Sequence, residues 1–145
     1  MAKEIDYLEL ADILQLGREI IADFRVRDLG LLESALARPK TTVFGDDAYP
    51  SFHQKVATLL HSIARNHALI DGNKRLAWSA ARLFCLMNDQ DIKMKPDKAY
   101  EMVIGVAAGE IDLAFPSIIP LSGLAFAWTL QQTNLNFILA AIFSV

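Results

Sequence analysis

The strongest constraint on this chain is a junction. Two helical patterns meet at a nine-residue polar stretch, His67-Ala68-Leu69-Ile70-Asp71-Gly72-Asn73-Lys74-Arg75. Before it, Phe52, Val56, Leu59, Leu60 and Ile63 form an apolar stripe at helical spacing. After it, Leu76, Ala77, Trp78, Ala80, Ala81, Leu83, Phe84, Cys85 and Leu86 make the next helix apolar almost all round, as expected of the central buried helix of a domain. Gly72 permits backbone angles that other residues avoid, and Asn73 is suited to cap the helix that follows. Lys74 and Arg75 then fall in that helix's first turn, where unpaired N–H groups and the positive end of the dipole already favour an anion. Two cations at such a place point to a polyphosphate. Asp71 is placed to hold the Mg²⁺ that accompanies polyphosphates, and His67 is the side chain suited to take a proton near neutral pH.

The rest of the chain reads as an all-α domain. Leu10, Ile13, Leu14, Gly17, Ile21 and Phe24 predict a first helix from Tyr7 to Phe24. Asp28 starts a short second helix with Leu31, Leu32, Ala35 and Leu36 on one face, and Pro39 stops it. Thr41 to Phe44 favour extended backbone and Gly45-Asp46-Asp47 is turn chemistry, so a small hairpin is expected between Lys40 and Tyr49. Ser51 and Gln54 form a capping box at the start of the third helix. The fourth runs from about Lys74 to Met87 and ends at Asn88-Asp89. Pro96 and Asp97 begin a fifth, which Gly109 stops.

Composition narrows the function. A net charge of −3 and a pI near 5.5 speak against general nucleic-acid binding. The single cysteine, Cys85, lies in an apolar helical run and reads as a small core residue in a reducing cytoplasm. The acidic N-terminus has no apolar signal core. His53 and His61 are eight residues apart, about 80° round a helix axis. With no CxxC and no HExxH, they read as surface or packing histidines, and zinc is not expected. From Leu113 to Val145 there is no charged residue. Its two apolar pieces, 118–130 and 135–145, are shorter than the roughly 20 residues of a membrane span. They read as segments docked on the body or on another chain, with self-association one outcome. Their contrast with the polar body also suits an altered C-terminus.

The polar stretch resembles the signature of the Fic/Doc family, H-x-F-x-D/E-G-N-G-R, and in particular its Doc branch, because Lys74 stands where Fic proteins carry the second glycine. The resemblance runs from about Tyr7 to about Phe115, through RDLGLLESALARP (27–39) and AAGEIDLAF (107–115). It implies a compact helical domain over residues 1–115, with a short flap hairpin that aligns a target segment beside the active site, and leaves 116–145 as a tail. It further implies ATP-dependent transfer of the γ-phosphate to a threonine of elongation factor Tu, with arrest of protein synthesis. By that resemblance His67 is the general base and, with Arg75, a catalytic residue. Asp71 holds Mg²⁺, and Gly72, Asn73, Lys74 and Arg75 hold the phosphates. A small antitoxin is the implied partner. Leu69 replaces the usual aromatic, and Trp78 replaces the further arginine of AMP-transferring Fic motifs. Both Lys74 and Trp78 favour phosphate transfer over the alternative of AMP transfer, while His67, Asp71 and Arg75 speak against an inactive binding protein.

Overall fold

The computed structural model describes residues 4–110. The tail expected over 116–145 lies outside them. The described residues form five α-helices, α1 (Leu10–Ile20), α2 (Leu29–Ala37), α3 (Phe52–Asn66), α4 (Asn73–Met87) and α5 (Pro96–Ala108), with a two-stranded hairpin, β1 (Thr42–Val43) and β2 (Asp46–Asp47), between α2 and α3. This is the all-helical domain with a flap hairpin that the sequence predicts. Among the described residues no helix is long and apolar enough to cross a membrane.

Helix α4 is the hub, packing against α3, α1 and α5. Its Leu76, Ala77, Ala80, Ala81, Phe84 and Cys85 are buried. Three alanines on that face let α3 approach closely, and Phe84 fills the space beyond them, stacked on Tyr7 at 5.7 Å and tilted against Phe52 at 5.1 Å. Burying a side chain of that size contributes about 1.5–3 kcal/mol. The opposite face of α4 is not apolar throughout. Lys74, Arg75 and Arg82 are exposed there and Trp78 is half-buried.

Several helix ends follow the local chemistry read from the sequence. The Ser51 hydroxyl accepts from the Gln54 N–H at 3.2 Å, and the Gln54 side chain accepts from the Ser51 N–H at 3.0 Å. The Asp28 carboxylate accepts from the Leu31 N–H at 3.3 Å. Gly109 ends α5 at φ 84, and the Glu110 N–H returns to the Gly105 carbonyl.

Three expectations are corrected. Helix α1 is shorter than Tyr7–Phe24, because Ile21 is extended and the chain folds back there. The ring of Phe24 then lies on Gly17, where a Cβ would come within 2.2 Å of it. The spacing of Gly17, Ile21 and Phe24 therefore records packing across a turn, not a continuing helix. The hairpin turn is Phe44–Gly45, not Gly45–Asp47. Strand register pairs Thr42 with Asp47 and Val43 with Asp46, and both loop residues have positive φ, 53 and 91, which is the type I′ pattern of a two-residue hairpin loop. Finally, Asn73 is not the cap of α4: Gly72 takes that place at φ 86, and Asn73 is the first helical residue.

Candidate active site

The polar stretch forms a short loop between α3 and α4, held from both sides. His67 closes α3 in the left-handed region, φ 52 and ψ 44, which turns the chain so that Ala68 and Leu69 enter the core. The segment before α2 lies along the loop. Arg27 and Asp28 donate backbone hydrogen bonds to the Ala68 carbonyl at 2.8 and 3.1 Å, Ile70 donates to the Arg25 carbonyl at 3.1 Å, and Val26 and Leu69 form an antiparallel bridge. On the other side, the Asn73 side chain accepts from the Leu69 N–H at 2.8 Å and donates to the Leu69 carbonyl at 2.9 Å. Leu69, which stands where the aromatic was expected, is buried and anchors the loop from within.

Gly72 is required by geometry. Its φ of 86 disfavours any side chain, and a Cβ there would lie 2.6 Å from the Cδ1 of buried Ile21. Arg75 reaches back to donate to the Ile20 carbonyl at 3.3 Å. The first turn of a helix leaves its N–H groups without intrahelical partners, so those of Asn73, Lys74 and Arg75 are directed toward the space in front of α4.

That space is a cavity of about 840 Å³. All six predicted site residues line it: His67, Asp71, Gly72, Asn73, Lys74 and Arg75. His67, Asp71, Lys74 and Arg75 are exposed. Sequence reasoning anticipated this end of the cavity but missed the other. Arg82, Asp91, Lys93, Met94 and Tyr100 continue the lining, with Trp78 between the two ends. Arg82 donates to Asp91 through Nε at 3.0 Å and through Nη2 at 3.2 Å. The hydrogen bond from Arg82 holds the Asp91 carboxyl below its ordinary value, against the opposing effect of burial. For Arg82 the signal was present, since it lies four residues after Trp78 on the same face of α4. No sequence signal marks Asp91 or Tyr100, which arrive from the loop before α5 and from α5 itself.

The Asn73 side chain is committed to Leu69, so its part in the site is to fix the loop, and its backbone N–H faces the cavity. Elsewhere on α3, His53 is exposed and His61 half-buried, and no group of three or more potential metal-binding side chains occurs among the described residues. An exposed carboxylate, Asp71, beside a helix N-terminus fits a Mg²⁺ that arrives with a polyphosphate, because such an ion takes one or two carboxylates and completes its shell with phosphate oxygens and water. The thiol of Cys85 is buried and pushed up, first by burial and then by the charge of Asp91, as befits an inert core residue.

Comparison with known proteins agrees with this architecture. The family model described as the Fic/DOC family matches residues 7–85, from before α1 almost to the end of α4. Over 111 residues the chain is 45% identical to Toxin Doc of Mycolicibacterium smegmatis, an alignment covering 74% of this chain and 85% of that protein. On a match that spans more than half its length and takes in α3, most of α4 and the loop between them, the chain belongs to the Fic/DOC family.

Proposed function

We propose that the protein is the toxin of a toxin–antitoxin pair and that it transfers the γ-phosphate of ATP to a threonine hydroxyl of elongation factor Tu, halting protein synthesis. The observation that carries this reading is the position of Lys74. It stands at the first turn of α4, on one cavity with His67, Asp71 and Arg75, where a glycine would let the phosphate of an AMP-transferring enzyme approach the backbone. A lysine fills that approach with a point charge. Trp78, in place of a second arginine, lines the same cavity and removes a further phosphate contact from the AMP-transfer arrangement.

In the proposed reaction His67 accepts the proton of the threonine hydroxyl. The hydroxyl oxygen forms a bond to the γ-phosphorus, and the bond between that phosphorus and the β,γ-bridging oxygen breaks, releasing ADP. Lys74, Arg75 and the N–H groups of the first turn bind the phosphates and face the charge that develops during transfer. Asp71 would hold Mg²⁺, which when bound supplies further neutralisation of phosphate charge. Beyond the loop, Trp78, Met94 and Tyr100 offer apolar and aromatic surface for a nucleoside base, and the cavity volume is in the range of small-molecule sites. A small antitoxin would restrain the enzyme by binding it, and its action in the cytoplasm follows from the location of its proposed target.

The test is to incubate the protein with Mg²⁺, elongation factor Tu and ATP labelled at the α- or the γ-phosphate, beside a His67→Asn control. Asparagine suits the control because it tolerates the left-handed backbone of residue 67. Label from the γ position that disappears in the control supports the kinase. Label from the α position means AMP transfer. No label from either, with folded protein, rejects elongation factor Tu as the target or points to a role through binding alone.

A further inference from the structure

The hairpin between α2 and α3 is fastened at its base by a group that neither the proposed chemistry nor the core requires. Lys55 is only 2% exposed. It lies one turn before Leu59 on the side of α3 that carries the apolar stripe. A methionine of similar length would sit there without the cost of desolvating a charge. What the ammonium adds is a tie between both legs of the hairpin. It donates to the Pro39 carbonyl at 3.0 Å, just before β1, and to the Asp47 carboxylate at the end of β2. Asp47 also accepts from the Tyr49 N–H at 3.0 Å, and the Tyr49 hydroxyl accepts from Arg38 Nε at 3.2 Å, so the tie is buttressed on the exit side. The Tyr7 ring lies 5.8 Å from the Lys55 ammonium and 5.0 Å from that of Lys40, close enough for both cations to be drawn to its face.

Helix α3 runs without a break from this tie to His67. At 1.5 Å per residue that is a rigid span of about 18 Å. The hairpin and the proposed general base are therefore mounted at the two ends of one helix. We infer that Lys55 is a positioning residue for the protein substrate: by joining Pro39 and Asp47 to α3, it fixes the register of the hairpin edge relative to His67. The substrate part of this inference rests on the phosphotransferase reading above, while the tie itself does not. A segment that adds to a hairpin edge delivers its hydroxyl correctly only if that edge is held in register, since side chains alternate along a strand.

The experiment separates the two parts. Hydrogen exchange is measured on the full chain and on Lys55→Met, following the flap amides, above all Ala48, whose N–H is bonded to the Thr41 carbonyl at 2.9 Å. The expected result is loss of flap protection by about tenfold or more with α4 unchanged. In steady-state kinetics with elongation factor Tu, the variant should raise KM for the protein substrate about tenfold and leave KM for ATP within about twofold. Asp47→Asn, which alters the solvent-facing end of the same tie, should shift both readouts in the same direction, and it stands in for Lys55→Met if that variant does not fold. Unchanged flap protection in a folded variant overturns the tie. Loosened flap amides with an unchanged protein KM overturn the positioning role. An inactive wild-type protein whose flap still loosens in the variant overturns the kinase reading and not the tie.

Discussion

The loop from His67 to Asn73 and the hairpin from Thr42 to Asp47 are both short, polar and left-handed in part, yet they are held in opposite ways. The loop is gripped along its length. Backbone hydrogen bonds from Arg27, Asp28 and Ile70 hold one side, the Asn73 amide holds the other, and Leu69 is buried beneath it. The hairpin is gripped only at its base, by Lys55 and by the Arg38–Tyr49 contact, and its tip residue Phe44 is 100% exposed. On the proposed function, this difference divides the tasks within the domain. In that reading, groups that bind a phosphate need a preorganised mount, and the doubly held loop supplies one. An edge that meets another protein needs a fixed origin and an open end.

The largest expected effect comes from the gripped loop. His67→Asn should lower transfer activity by about 10²–10⁴-fold with little change in the melting temperature, since the side chain is exposed and its backbone conformation suits asparagine. A comparable melting-temperature drop would place the residue in the fold and not in the chemistry. Next, Asn73→Ala strips the buried Leu69 N–H of its partner and should cost about 1–3 kcal/mol in denaturant unfolding, with activity falling alongside. Gly72→Ala should cost a similar amount, about 1–3 kcal/mol, from the left-handed backbone and the contact with Ile21. Measured together, these two say whether the loop is held as firmly as its hydrogen bonds imply.

The hairpin responds to milder changes. Burial by itself raises the Asp47 carboxyl, but the hydrogen bonds from Lys55 and the Tyr49 N–H, with the Lys55 charge, outweigh it and leave the group below its ordinary 3.8. A carboxyl lowered on folding contributes stability that is fully present above its ordinary value and is lost as pH falls through the lowered one. Flap protection factors should thus be flat in mildly acidic to neutral solution and drop below about pH 3.8, and Asp47→Asn should abolish that drop. The smallest effect is at the tip. Phe44→Asn should leave stability unchanged or raise it by a few tenths of a kcal/mol, because asparagine accepts a positive φ more readily than phenylalanine and nothing packs on the exposed ring. A loss of more than about 1 kcal/mol would mean that the tip is gripped after all.

Much of this was legible in the chain. The apolar stripe of α3, the near-continuous apolar run of α4, the Ser51–Gln54 box and the Pro96 and Gly109 punctuation are local signals, and local hydrogen bonding or a single helix face explains each. The turn at Phe44–Gly45 was harder, because an exposed phenylalanine at positive φ is not turn chemistry, and strand register decided it. Asn73 misled for a related reason. Its residue type suits a cap, but Leu69 competes for the same amide and wins with two bonds. Lys55 left a faint trace, a lysine on an apolar stripe, whose meaning depends on which oxygen atoms the hairpin brings to it.

The sequence by itself determined the helical order, the ends of most helices, and which polar residues stand together at the start of one helix. These follow from periodicity, capping and residue chemistry within a few positions of each other. Only the tertiary structure decided that Arg82, Asp91 and Tyr100 share the cavity with them, that Ile21 forbids a side chain at residue 72, and that one buried ammonium fastens the hairpin. Those facts join residues far apart in the chain, and no local rule specifies which distant groups a packed core will bring face to face.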